Sequence, residues 1–393
     1  MDIKSKAYEM KDELVKIRRY IHQHPELGMK EYETTKLVKE ELKKSGIKIK
    51  DIGTETGVLA IIEGEKKCPN TVTALRADMD ALPITEKTGL DYASQNEGVM
   101  HACGHDGHTT MLLGAAKLLN TMKDQFSGTV KFIFQPAEET LVGARSMVEA
   151  GVLEDPDVDN ILGLHGWPIV NVGKIAFWRG PYMASADKFT VKVIGFGGHG
   201  AYPHKSLDPV LAASTAVVQF QNIVSRQIDA LEKVVISVCM INGGKAFNVI
   251  PEEVSFCGTV RCHNNDVRLG IKEKMDTIMQ GIAKSFGVKY ELDYEWGVPP
   301  VVNDPDIVDA VIKAANEVLG EGKAEQLKIP AMSSEDFSFY LEKVPKGAFI
   351  RVGIAKPGEK PLVVHNDHFN FNDDAIPVGV SLFTQYVLDQ NNG

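Results

Sequence analysis

MHACGHDGHTT, residues 100–110, packs three histidines, a cysteine and an aspartate into eleven positions broken by Gly104 and Gly107. Cys103 and His105 are two apart, so an extended or looped backbone aims both side chains to one side. Thiolate and imidazole together are ligands for a borderline-soft divalent ion such as zinc. From His108 onward, Met111, Leu112, Ala115, Leu118 and Leu119 recur at steps of three and four, which predicts an amphipathic helix. The stretch is therefore expected to be a ligand-bearing loop that opens a helix.

Working outward, the flanking segments predict strands. Residues 58–63 and 71–77 are short, apolar and β-branched, and the second runs into RADMDALP. Asp78 and Asp80 then fall just past a strand's C-terminal end, the edge where open α/β sheets gather ligands. Downstream come a strand over 129–134, the run QPAEE at 135–139, a helix near 144–150, and a strand over 161–164 ending at His165. Helices are expected over 8–23 and 31–45, the turn His24–Pro25 separating them. Strand and helix alternate, so the fold class is α/β, a mostly parallel catalytic sheet covered by helices.

The pattern changes near Ser185. KFTVKVI, residues 188–194, alternates polar and apolar residues, the mark of a sheet with one wet face. A helix over 208–227, strands over 234–241 and 253–261, a helix over 267–286 and a strand near 290–294 follow. That β-α-β-β-α-β order is ferredoxin-like. After Pro299 the first pattern returns, with a helix over 307–319, a strand over 348–353 and a closing helix after Asp373. The expected organisation is an α/β domain in two parts, 1–184 and 298–393, interrupted by an inserted α+β domain, 185–297.

Composition narrows the function classes. The chain has 393 residues, is 44% hydrophobic and 24% charged, and carries a net charge of −10, ordinary for a globular protein. That acidity argues against nucleic acid, which calls for a basic stripe. No apolar run is long enough for a membrane span, and the charged start MDIKSKAYEMKDELVK does not read as a signal peptide. Five cysteines form no disulfide framework, and a cytoplasmic setting is expected.

Several residues could carry chemistry. Glu138 and Glu139 would face opposite ways on a regular strand, but Pro136 breaks the ladder and lets them converge. One could then hold a metal while the other takes a proton from a metal-activated water. His165, in GLHGWP, and His365, in VVHNDHFNF with His368 close behind, each have an ordinary reading as hydrogen-bonded structural histidines. Topology is what links them: Asp78, Cys103, Glu139 and His165 should all follow strands on one sheet edge. In the inserted domain, His199 lies in glycine-rich GFGGHGAYPH, and Asn248 and Arg261 end neighbouring strands. An arginine fork with an amide partner suits a carboxylate, though a surface arginine and a turn asparagine are the plain alternative.

With these motifs in hand, the chain resembles the amidohydrolase branch of the aminoacylase/carboxypeptidase metallopeptidase family. That branch includes hippurate hydrolases, indole-acetyl-amino-acid hydrolases and N-acetyldiaminopimelate deacetylases. HQHPELGMKE, RADMDALP, MHACGHDGHTT, FQPAEE, GLHGWP, GGHGAYPH, FNVIP, SSEDF and HNDHFNF carry the resemblance in order, nearly end to end. It implies that Cys103, His105, Glu139, His165 and His365 are metal ligands and Glu138 the general base. It places Asp78 and Asp80 among the active-site acids, has His199 polarise the scissile carbonyl in a neighbouring subunit's site, and has Asn248 and Arg261 hold the substrate carboxylate. The wider family has HxDxxP where this chain has DMDALP, so Asp78 stands where a histidine ligand is usual. His105 falls where relatives have a bridging aspartate, making the Cys103 thiolate the expected bridge. The implied protein is a homodimeric amidohydrolase of N-acyl amino acids holding two divalent ions, zinc foremost, with manganese or cobalt as alternatives. A carboxypeptidase or dipeptidase with the same machinery is the rival, and a zinc protein that only binds its ligand is another.

Overall fold

The computed structural model describes residues 2–68, 70–359 and 363–392. The chain divides into two compact units: residues 1–180, 302–329 and 336–393 form the first, residues 181–301 and 330–335 the second.

The first unit is built on a sheet of eight strands among the described residues. Its order is Lys48–Lys50, Val58–Glu63, Thr129–Gln135, Val72–Asp78, Asn160–Asn171, Gly347–Ala355, Ile175–Phe177 and Ala324–Gln326. The four central strands, from Thr129–Gln135 to Gly347–Ala355, run parallel. Val72–Asp78 is buried at every position and Thr129–Gln135 at all but its first, as helix cover on both faces requires. Leu75, Phe132, Phe134, Leu162 and Ile350 from these strands join Met111, Leu112, Val380 and Phe383 from helices in one core. The helix His105–Asn120 packs against Ile376–Gln390 and Lys11–Gln23. It is buried along nearly all its length, so the amphipathic helix expected from the sequence proves to be a core helix with little wet face.

The second unit is a four-stranded antiparallel sheet in the order Val234–Gly243, Glu253–Cys262, Ala186–Ile194, Lys289–Val298. The strand Ala186–Ile194 alternates buried and wetter positions as its sequence predicts. Phe189, Val191, Val193 and Phe256 face Phe220, Met275 and Met279 of the helices Pro209–Asn222 and Asn265–Phe286. Both helices start on side-chain caps: Asp208 accepts from the Val210 amide and Asn264 from the Asp266 amide. The β-α-β-β-α-β order is ferredoxin-like.

Two boundaries differ from expectation for identifiable reasons. Residues 330–335 join the second unit, because Ala331 donates to the Tyr182 carbonyl and accepts from His263 Nε2 at 2.7 Å. The strand expected to stop at His165 continues to Asn171, paired with Gly347–Gly353 as far as Trp167 and, after an irregularity, with Ala355 at Asn171. Gly163 and Gly166 look like turn residues but are packing residues: a Cβ would lie 2.8 Å from Phe349 at the first and 2.8 Å from Phe371 at the second. Among the described residues, no helix is long and apolar enough to cross a membrane.

Candidate metal centre

The helix His105–Asn120 begins at His105 itself, three residues earlier than its apolar period predicts. Gly104 makes this start possible by adopting φ 95°, a left-handed conformation that costs glycine little. Cys103 thus ends the loop and His105 opens the helix. The helix start is anchored from below: the Arg18 guanidinium lies 2.7 Å from the Asp106 carboxylate, and His22 Nδ1 2.8 Å from it, all three buried.

Tautomers follow from the hydrogen bonds. His165 Nδ1 lies 2.7 Å from the Gly166 carbonyl, which can only accept, so Nδ1 carries the hydrogen. Its Nε2 lone pair then faces Cys103 Sγ at 3.4 Å. His105 Nδ1 lies 3.1 Å from Asp80 Oδ1, an arrangement that likewise turns the Nε2 lone pair outward. That Nε2 is buried with no hydrogen-bond partner, and so is Glu139 Oε1, 3.8 Å away. Two orphaned, oppositely disposed buried atoms are costly unless a cation sits between them. His365 Nε2 approaches the same Glu139 oxygen at 3.4 Å. His365 is half exposed and has φ 62°, a strained conformation for a side chain with a Cβ, of the kind that clusters at working sites.

These atoms form overlapping sets. The donor atoms of Cys103, His105 and His165 lie within 4.8 Å of one another, and so do those of Cys103, Glu139 and His365, and of His105, Glu138 and Glu139. Cys103 is shared by the first two sets and Glu139 by the last two. A further trio, Asp78, His105 and His108, is equally close. It is a poorer metal set, because His108 has no lone pair left: Nδ1 pairs with Asp78 at 2.7 Å, and Nε2 accepts the Gly166 amide at 2.7 Å.

The protein's own charges prepare the set for a cation. Burial pushes the Cys103 thiol up to about 12, so a thiolate here needs a positive neighbour. Burial and the nearby Arg351 charge hold His165 well below its usual value, keeping it neutral. Burial opposes protonation of His105 as well, but Asp78 and Cys103 overcome it and raise that imidazole well above its usual value. The donors therefore fit a divalent metal, which would displace that proton.

Residues 74–389 match Peptidase family M20/M25/M40. The chain belongs to this family. It is 42% identical to the N-acetyl-L-cysteine deacetylase of Bacillus subtilis over 88% of this chain and 81% of that one. It is 39% identical to the hippurate hydrolase of Campylobacter jejuni over 99% of both. A solved dinuclear metal-binding peptidase of the M20 family from Bacillus subtilis superposes with a TM-score of 0.85 at 35% identity, covering 98% of this chain and 99% of that one. Amide hydrolysis by a metal-dependent enzyme, the class expected from the sequence, is the reaction class of this M20 chain.

Around the M20 centre, the two aspartates divide their work. Asp80 pairs with His105 and accepts the Glu139 amide at 3.0 Å, so it orients two of the donors. Asp78 sits deeper. Although burial opposes its charge, His105, His108 and Arg76 hold its carboxyl well below the usual range. Arg76 also reaches Gln135 at 2.7 Å and Asp336 at 3.0 Å, and Asp336 accepts the Ala144 amide at 2.9 Å. Arg76, His108 and Asp336 were not foreseen as site residues. Arg76 had a usable signal, lying two positions before Asp78 on the same strand face. His368, the competitor of His365, is instead turned to Asp367 at 2.7 Å and half exposed.

The second unit's candidates split. His199 and Asn248 come together, because Gly198–His199 pairs with Val249–Ile250 and the Gly200 amide donates to the Asn248 carbonyl at 2.8 Å. Both are exposed. Arg261 does not join them. It lies at the far end of the strand Glu253–Cys262 from the turn that carries Asn248, roughly 25 Å along at strand rise. There its guanidinium meets Thr259 Oγ1 and the Val260 carbonyl. The expectation that Asn248 and Arg261 grip one carboxylate fails within a single chain, because strand direction separates them.

Proposed function

We propose that this M20 enzyme hydrolyses the amide bond of N-acyl amino acids, with Cys103, His105, Glu139, His165 and His365 as ligands of two divalent ions, zinc or, failing that, manganese or cobalt. The observation that carries the reading is the pair of orphaned donors, His105 Nε2 and Glu139 Oε1, beside the carboxylate of Glu138. Bound metal supplies Lewis acidity toward water and the amide carbonyl. Glu138, buried with its carboxylate close to the donor atoms of His105 and Glu139, takes the proton of the attacking water. It then delivers that proton to the nitrogen of the departing amino acid. Asp80 keeps His105 in the ligand tautomer through both steps, while Asp78 holds His108 against the Gly166 amide.

His199 is proposed to stabilise the carbonyl oxygen as charge develops, and Asn248 and Arg261 to bind the substrate carboxylate. Their separation in one chain supports a homodimer in which His199 and Asn248 serve the partner's site while Arg261 serves its own. The strand Val234–Gly243 is an open sheet edge with Met240 and Ile241 exposed, which suits two-fold pairing. A reducing cytoplasm is the proposed compartment, since Cys103 must stay reduced to bind metal as a thiolate.

A hydrolysis panel tests the function. Acetyl, benzoyl, succinyl and indole-acetyl amino acids are offered beside dipeptides and carboxamide analogues. Cleavage of one acyl class in preference to dipeptides is expected. Preference for dipeptides makes the enzyme a dipeptidase, and no turnover of any amide by metal-loaded protein makes it a binder.

A further inference from the structure

HPELGMKE contributes nothing to the ligand set, yet it ends in a buried carboxylate with no surface role. Glu31 is fully buried. One oxygen, Oε1, accepts the Ala137 amide at 2.8 Å and the Met29 amide at 3.2 Å. Both donors belong to residues in the left-handed region, Ala137 at φ 53° and Met29 at φ 61°. Side chains with a Cβ stay there only when their surroundings over-determine them. Ala137 immediately precedes Glu138 and Glu139, so its backbone sets where both point.

We propose that Glu31 is a positioning residue that locks the turn at Ala137 and so aims Glu138 and Glu139 into the metal centre. The inference rests on the proposed roles of those two glutamates. Three further contacts bear it out. A Cβ on Gly28 would lie 3.1 Å from Ala137 Cα, so the segment carrying Glu31 seats directly on the turn. The Ala137 carbonyl accepts the Gly143 amide at 3.1 Å, and Asp80 takes the Glu139 amide at 3.0 Å. The turn is thus pinned at both ends by carboxylates from elsewhere in the chain. Glu31 holds its place at a cost: burial pushes its carboxyl up to about 7, and its second oxygen is buried without a partner.

The test compares Glu31→Gln, which retains the accepting oxygen, with Glu31→Ala, which leaves two buried amides unpaired. Three readouts are taken on the full chain: amide exchange in the peptide containing Ala137, manganese and zinc affinity by chelator competition, and kcat with KM. Glu31→Ala is expected to speed exchange there. It should weaken metal binding and lower kcat about 10- to 100-fold, as losses of groups that orient ligands do, with KM little changed. Glu31→Gln should restore all three to within a few-fold. If Glu31→Ala does not fold, Glu31→Asp, which keeps the charge but withdraws the oxygen, replaces it with the same expectations in smaller measure. Folded Glu31→Ala with wild-type metal affinity and kcat overturns the proposal, and so does Glu31→Gln behaving like Glu31→Ala. Exchange and metal binding need no substrate, so an enzyme that cleaves none of the panel refutes the function reading and leaves these arms standing.

Discussion

The two units hold their candidate residues in opposite ways. In the first, Cys103, His105, His165 and Glu138 are all under a tenth exposed, and the histidines have their second nitrogen already committed. In the second, His199 and Asn248 stand in water on a two-residue strand pair, beside a wholly exposed Phe247. Groups that must hold a cation in fixed geometry are oriented during folding, where desolvation strengthens each contact. Groups that meet a substrate, or a partner's substrate, stay solvated until it arrives. Breaking the first set should therefore cost the chemistry at the ion itself, whereas changing the second should cost activity while leaving the ions bound.

The largest effect should come from removing the metal. Chelation is expected to abolish turnover, and zinc, manganese or cobalt to restore it, with two ions per chain at full activity by elemental analysis. Full activity at one ion per chain would show that Cys103 does not bridge two sites. Next in size is Glu138→Gln, expected to lower kcat by about 10²- to 10⁴-fold, the usual contribution of a general acid–base group. Metal content should be unchanged, because this glutamate is assigned to the proton and not to the ion. Loss of metal in that variant would make it a ligand instead. Asp80→Ala tests the layer behind: it should weaken metal binding about 10- to 100-fold by freeing the His105 ring and the Glu139 amide. An unchanged affinity would mean that burial alone orients His105.

How much of this was legible beforehand follows the same division. Parallel strands were readable because each is a short apolar run ending at a chemically distinctive residue, and the ferredoxin-like unit because its strands alternate. Candidate ligands could be grouped by expecting strand ends at one sheet edge, although His165 lies inside its strand. Hydrogen-bond partners were not legible. That His108 is spent between Asp78 and Gly166, and so is no ligand, depends on two atoms 2.7 Å away, which spacing cannot encode. His165 lies inside its strand and not after it, since glycines that read as punctuation are there to admit Phe349 and Phe371. The gap between Asn248 and Arg261 was readable in the order of residues: Asn248 precedes the strand expected over 253–261 and Arg261 ends it, so strand rise alone separates them.

That gap makes the subunit question sharper. If His199 acts on the partner's site, mixing inactive His199→Ala with inactive Glu138→Ala protein gives mixed dimers with one intact site of two. About a quarter of full activity should return at equal, random exchange. Confirmed exchange without recovery would place His199 over its own chain's centre.

The smallest expected effect, and the one most specific to substrate recognition, lies at Arg261. Its guanidinium is partly buried, which lowers its pKa somewhat, with Asp187 opposing that shift. It is held by Thr259 and the Val260 carbonyl and not by a carboxylate in direct contact. Its fork therefore retains donors for an incoming anion. Arg261→Lys keeps the charge but replaces a planar bidentate donor with a point charge on a flexible stem. Ground-state anchoring should suffer more than transition-state chemistry, so KM should rise several-fold while kcat changes little. Carboxamide analogues should already be poor substrates for the wild-type enzyme, and the lysine variant should narrow the gap between the two substrate types. Equal cleavage of acid and amide by the wild-type enzyme would remove the carboxylate from the recognition scheme. A fall in kcat at unchanged KM would instead put Arg261 in the chemistry, on the side of the molecule where charge is fixed before substrate binds.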